Sequence, residues 1–171
     1  MCYIYFYIME NQSIIEMKVR GLALEQDHQM PLVILQDVEK QKTLAVTIGP
    51  SEASSIIIEL EGIQLPRPHT HDIIVRLFER HKFKMLCLEI YAFLDNKYLS
   101  RIHYSKGTRK YTMEIRPSDG IALALKLEAP IFSSTSLLSW KEGDPLYVDE
   151  LDPLSPDVLY IDTDNRNIPF M

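Results

Sequence analysis

The sequence predicts an α+β fold: a mainly antiparallel sheet from one three-strand-and-helix unit written twice, with a linker helix between the copies. Three observations carry this expectation. The stretch "IGPSEASSIIIELEG" at 48–62 repeats as "IRPSDGIALALKLEA" at 115–129, with five of fifteen positions identical at an offset of 67. Runs with strand character precede each copy at the same offset. An amphipathic segment, "RPHTHDIIVRLFERHKF", separates the two.

The elements follow in order. The opening "MCYIYFYIME" is far shorter than the ~20 apolar residues of a membrane span. It also lacks the basic start and cleavage site of a secretory signal. Residues 1–16 are expected to be a poorly ordered extension, with Met9 and Met17 as alternative starts. Residues 17–25, 31–36 and 43–48 then read as strands, matched by 84–92, 98–103 and 110–115. Polar breaks at 26–29, 37–42, 95–97 and 105–109 have hairpin lengths.

Alone, "SSIIIELEG" could be a strand, because consecutive isoleucines favour one. Its match to "ALALKLEA" argues for a helix in both copies. Each helix is apolar nearly all round, so each should be covered on more than one side, by the sheet or by another subunit. Ser51 and Ser118 are placed to cap these helices with their hydroxyls. Glu52 and Asp119 then fall in the first turn, where the helix dipole favours a carboxylate by ~0.3–1 kcal/mol.

In the linker helix Thr70 is the expected cap, Asp72 sits in the first turn, and Ile73, Ile74, Leu77 and Phe78 share a face. After the second copy, "APIFSSTSLLSW" predicts a short extended piece, a cap at Ser134 or Thr135, and a last helical turn. The expected organisation is one domain over 17–140 and an acidic, mostly irregular tail over 141–171.

With 171 residues, 46% hydrophobic and 25% charged, the chain suits a single globular domain. Cys2 and Cys87 make neither a disulfide framework nor a zinc spacing, so a reducing, cytoplasmic setting is expected. The net charge of −6 argues against a dedicated nucleic-acid binder, but the charge is segregated. Residues 67–116 carry 11 basic and 5 acidic side chains, and residues 142–171 carry 8 acidic side chains and one arginine. The two regions could meet different partners, or each other.

Three ordered motifs carry a resemblance. Ile48, Gly49, Glu52 and Ala53 fill an I-G-x-x-E-A pattern. Arg67, Pro68, Thr70, His71 and Asp72 fill R-P-x-T-H-D. Arg116, Pro117, Ser118 and Asp119 open an R-P-S-D helix that runs on through Leu125 and closes on Ala129, Pro130 and Ile131. In this order they resemble the bifunctional nuclease family, over roughly residues 17–140. Gly120 replaces the usual alanine, Lys126 the usual arginine, and Glu114 with Ile115 a common Asp-Ala pair. The resemblance implies a duplicated β-rich α+β domain that assembles into homo-oligomers, a dimer or trimer, and cuts both DNA and RNA.

Such chemistry commonly uses carboxylates to hold divalent cations, here Mg²⁺ or Mn²⁺, through Asp119, Asp72 and Glu52. His71 is the candidate general base. Arg67 and Arg116 are candidates for gripping a phosphate, with Ser118 and Thr70 beside them at helix starts. The same arginines and acids would equally serve as ion pairs fixing the linker helix in a non-catalytic binding module. Arg101, Lys106, Arg109 and Lys110, interleaved with Tyr104 and Tyr111, could hold backbone and bases, or form a solvated hairpin.

Overall fold

Seven strands form one mixed sheet in the computed structural model, which describes residues 14–24, 30–39 and 42–138. The first three are β1 (Ile14–Leu24), β2 (Pro31–Asp37) and β3 (Thr43–Thr47), followed by helix α1 (Pro50–Leu60). Helix α2 (Thr70–Arg80) comes next. The second set is β4 (Lys84–Leu94), β5 (Lys97–Lys106) and β6 (Arg109–Ile115), followed by α3 (Pro117–Lys126). Strand β7 (Ile131–Ser134) and a 3₁₀ turn (Thr135–Leu137) end the described chain. The acidic tail, Cys2 and most of the expected N-terminal extension lie outside the described residues. Residues 14–16, assigned to that extension, belong to β1.

The strand order is β3-β2-β1-β7-β4-β5-β6, so β7 stands between two three-stranded antiparallel meanders. It runs antiparallel to β1 and parallel to β4. Tight turns set the register of the second meander. Asp95 and Asn96 both take left-handed backbone (φ 49° and 58°), which lets a two-residue turn join β4 to β5 without glycine.

All three helices pack on one face of the sheet. There Val33, Leu35, Leu44 and Val46 of the first meander join Leu88, Ile90 and Ile102 of the second in a single core. The alternate residues Leu32 and Ile34 point the other way and join Ala23 and Ala45 in a small second cluster. Helix α3 is the centre of the helical layer. Residues 120–124 are buried, and the covering comes from the sheet, α1 and α2.

Several local expectations need correction. Helices α1 and α3 begin at Pro50 and Pro117, so Gly49 and Arg116 hold the cap positions and the serines fall one step inside. Neither helix has a side-chain cap bond: proline at the first helical position pulls the start ahead of the serine. In α2 the cap position belongs to His69 rather than Thr70, and the Asp72 carboxylate accepts from the His69 N–H at 2.6 Å. The inward face of α2 is also rotated from the expected one. His71 and Phe78 are buried, Ile74 and Val75 are half-buried, and Ile73 and Leu77 are exposed. The polar partners of His71 and Asp72, described next, turn the helix that way.

Candidate functional site

The starts of α1 and α3 and the first turn of α2 meet in one polar cluster. Its hub is the Arg116 side chain, which rises from the cap position of α3. Its Nε donates to Asp119 Oδ2 at 2.7 Å, and its Nη2 donates to Asp119 Oδ1 at 3.1 Å and to Glu52 Oε1 at 2.8 Å. Glu52 is further held by the Ser51 hydroxyl, which donates to Oε2 at 2.8 Å. On the other side, His71 Nε2 lies 3.1 Å from Asp119 Oδ1.

Gly49 explains how Glu52 gets there. The carboxylate folds back over the cap residue so closely that any Cβ at 49 would collide with it. The position 67 residues later is Arg116. One copy of the motif leaves space for a carboxylate, and the other supplies the cation that neutralises it.

These contacts set the charges. Ser51, the local backbone and Arg116 hold the Glu52 carboxyl below its usual range, against a smaller opposing effect of burial. Burial opposes ionisation of Asp119 more strongly, yet Arg116 and then His71 outweigh it and its pKa is also lowered. Asp119 first, and then Glu52, push Arg116 up. Both acids are therefore anionic at neutral pH beside a fixed cation. The Arg116 side chain stays 68% exposed, and its Nη1 bonds to no described residue.

Asp72 goes elsewhere. Its Oδ1 meets Lys126 Nζ at 2.8 Å, and Lys126 also reaches Glu59 Oε2 at 3.0 Å. The bond from Lys126 chiefly lowers the Asp72 pKa. Burial pulls Lys126 down, but its two carboxylate partners outweigh this and its pKa is raised. This clamp ties α1, α2 and α3 together. The ion pair open to Arg67 and Asp72 in the sequence is not formed, because Lys126 takes Asp72.

Of the candidate residues, Glu52, Asp119, His71 and Arg116 come together. Asp72 instead pairs with Lys126 at the far end of α3, Ser118 is buried in the first turn of α3, and Thr70 is exposed. Arg67 is exposed at the edge of a cleft. Among the described residues, no three His, Cys, Asp or Glu side chains converge as a divalent cation would need. The two acids closest to such a site share a guanidinium, so the donor set as it stands does not fit Mg²⁺ or Mn²⁺.

A second polar cluster went unread in the sequence. On the sheet face away from the helices, Glu89 accepts from Arg101 Nε at 2.8 Å and lies 2.7 Å from His103 Nε2. Burial would raise the Glu89 pKa, but His103 and Arg101 bring it to about 2. The available signal was a lone glutamate inside the apolar run "MLCLEIYA". Arg101 is thereby removed from the supposed nucleic-acid hairpin, and its guanidinium covers the Tyr91 ring. Glu114 lies on the same outer face and accepts from the Tyr91 hydroxyl at 2.9 Å. On the helix side Tyr104 and Tyr111 stack with centroids 5.3 Å apart, and Lys106 sits over Phe83.

The bifunctional nuclease domain matches residues 33–143, which contain all of the polar residues of the first cluster. The chain belongs to the bifunctional nuclease domain family. Two uncharacterized proteins of Mycobacterium tuberculosis, one from each of two strains, are 28% identical to it over 124 residues, 72% of this chain and 74% of theirs. The family thus places a nuclease-related domain over the sheet and helices described above. Among the described residues, no helix is long and apolar enough to cross a membrane.

Proposed function

We propose that this bifunctional nuclease domain hydrolyses phosphodiester bonds of DNA and RNA, with low sequence specificity, at the cluster of His71, Asp119, Arg116 and Glu52. The observation that carries the reading is the pair of His71 and Asp119. A buried imidazole is held at 3.1 Å by a carboxylate that is itself fixed by Arg116. This is the base-and-orienter geometry of acid–base hydrolysis.

In this reading Asp119 holds the Nε2 side of the ring, and Nδ1, which bonds to no described residue, takes the proton of the attacking water. The water oxygen bonds to phosphorus, the bond from phosphorus to the leaving sugar oxygen breaks, and that oxygen departs with the proton returned by His71. Arg116 offers Nη1 to the non-bridging oxygens, where charge builds up. Glu52 keeps Arg116 turned toward the site. Low specificity follows because these groups address the sugar–phosphate chain rather than base edges.

The similarity of the two strand-strand-strand-helix sets supports an origin by tandem duplication, with α2 as the linker helix. Self-association is supported by the sheet edge at β6, nearly all exposed with Tyr111 and Met113, which offers an unpaired strand to another copy.

A second reading has its own support. Each of the four acids Glu52, Asp119, Asp72 and Glu59 already has an intramolecular cation. In a non-catalytic oligomeric binding or regulatory module these pairs would serve to lock the helices together.

The test is incubation of the full chain with plasmid DNA and single-stranded RNA, with Mg²⁺ or Mn²⁺ and then with chelator, alongside Asp119→Asn. Cleavage by the wild type and its loss in a folded Asp119→Asn variant is the expected result. Cleavage that survives chelator agrees with the donor set. Cleavage abolished by chelator would mean that Arg116 yields the acids to a metal. A folded wild type that cuts neither substrate would leave the binding module.

A further inference from the structure

A cleft of about 200 Å³ opens between α1, α2 and the segment joining them, with Lys126 at its back. Its acids are satisfied: Asp72 uses one oxygen on Lys126 and the other on the His69 N–H, and Glu59 also holds Lys126. Arg67 and Arg76 line the same cleft, and no described carboxylate pairs with either. Lys126 sets one positive charge against the two carboxylates, so with Arg67 and Arg76 the cleft carries a net charge of +1, and the two guanidiniums are its cations without a described carboxylate partner.

Ile58, Ile63, Leu65, Pro66 and Pro68 give the cleft one apolar side, and Ser55 and His69 add polar groups to the lining. Ile63 and Leu65 are unusually exposed for such residues, at 51% and 37%. Pro66 and Pro68 restrict the backbone on both sides of Arg67, so this side chain is presented from a stiff segment. The volume is below the roughly 300–1,000 Å³ of pockets that enclose a whole drug-sized ligand. It suits one charged group with the sugar and base edge attached to it.

We propose that this cleft binds a single nucleoside monophosphate unit, its phosphate held by Arg67 and Arg76 and its sugar and base against the apolar wall. Planar guanidiniums match phosphate oxygens two at a time, and the wall distinguishes a nucleotide from a bare anion. The assignment deepens the nuclease reading and rests on it for the choice of a nucleotide. The unit can be a free mononucleotide or the phosphorylated end of a strand.

The test is calorimetric titration of the full chain with AMP, adenosine, inorganic phosphate and a 5′-phosphorylated tetranucleotide. AMP should bind at least about tenfold more tightly than adenosine or phosphate. Arg67→Gln and Arg76→Gln should each weaken AMP binding about tenfold or more with unchanged melting. A tetranucleotide that binds more tightly than AMP identifies a strand end, and the reverse order identifies the free nucleotide. Equal affinity for adenosine or phosphate, wild-type binding by both variants, or no AMP binding up to about 10 mM would overturn the proposal. RNA cleavage measured in parallel separates the two claims. Cleavage without AMP binding removes the cleft site alone, and arginine-dependent AMP binding without cleavage removes the hydrolytic reading alone.

Discussion

Lys126 Nζ lies 3.0 Å from Glu59 Oε2, and the two residues stand 67 positions apart, the offset at which the two helix motifs align. Glu52 and Asp119 have the same separation, and both are held by Arg116. Corresponding positions of α1 and α3 therefore meet twice, once in a direct ion pair and once across the Arg116 guanidinium. Two helices with matched faces are joined by charges that differ between the copies.

The Lys126 clamp should matter to stability. Its side chain is only 10% exposed, and its loss leaves Asp72 and Glu59 without their cation. Lys126→Met keeps the volume and should cost about 2 kcal/mol, less than a fully buried pair because both acids touch solvent. Urea unfolding measures this. Adding Glu59→Gln to Lys126→Met should cost less than the sum of the single changes.

Gly120 lies inside α3, and the packing gives a reason for glycine there. A Cβ there would lie 2.5 Å from Cδ1 of Leu88, a fully buried residue of β4. Gly120→Ala gains up to about 1 kcal/mol of helix propensity but forces that leucine to move, at about 1–3 kcal/mol. The expected net is a loss of about 1 kcal/mol by thermal melting. Leu88→Val in the same chain should recover part of it.

Glu89 predicts an acid limb. Its carboxyl is held at about 2 against an ordinary 4.5. A depressed folded pKa gives stability that is fully present above the unfolded value and is lost as pH falls through the folded one. About 3 kcal/mol should therefore disappear between about pH 5 and pH 2. Glu89→Gln should be less stable at pH 7 and show a flatter profile over that window. Equal slopes for the two proteins would contradict the assignment.

Much of this architecture was legible because patterns reinforced one another. The three isoleucines of α1 alone favour a strand, and only the match to the alanine-rich α3 turns the reading to helix. Strand β7 was foreseen as an extended piece but not as the central strand, since four residues carry no sign of which neighbours they will pair with. The caps slipped by one residue because proline at the first helical position outranks serine at the second. Of the motif residues named from the sequence, Glu52, His71, Arg116 and Asp119 do come together in one cluster. What stayed hidden was partner choice: Asp72 could satisfy either Arg67 or Lys126, and only the packing of α2 on α3 decides. Glu89 was missed because an acid within an apolar strand announces burial without naming the arginine and histidine on the next strand.

The central claim is that His71, oriented by Asp119, acts on a phosphodiester. The most direct measurement compares single-stranded RNA cleavage by the wild type and His71→Asn, with melting recorded for both. A general base contributes about 10²–10⁴ in rate, so cleavage should fall at least about 100-fold while the fold survives. A folded His71→Asn variant that cuts RNA at the wild-type rate would contradict the account.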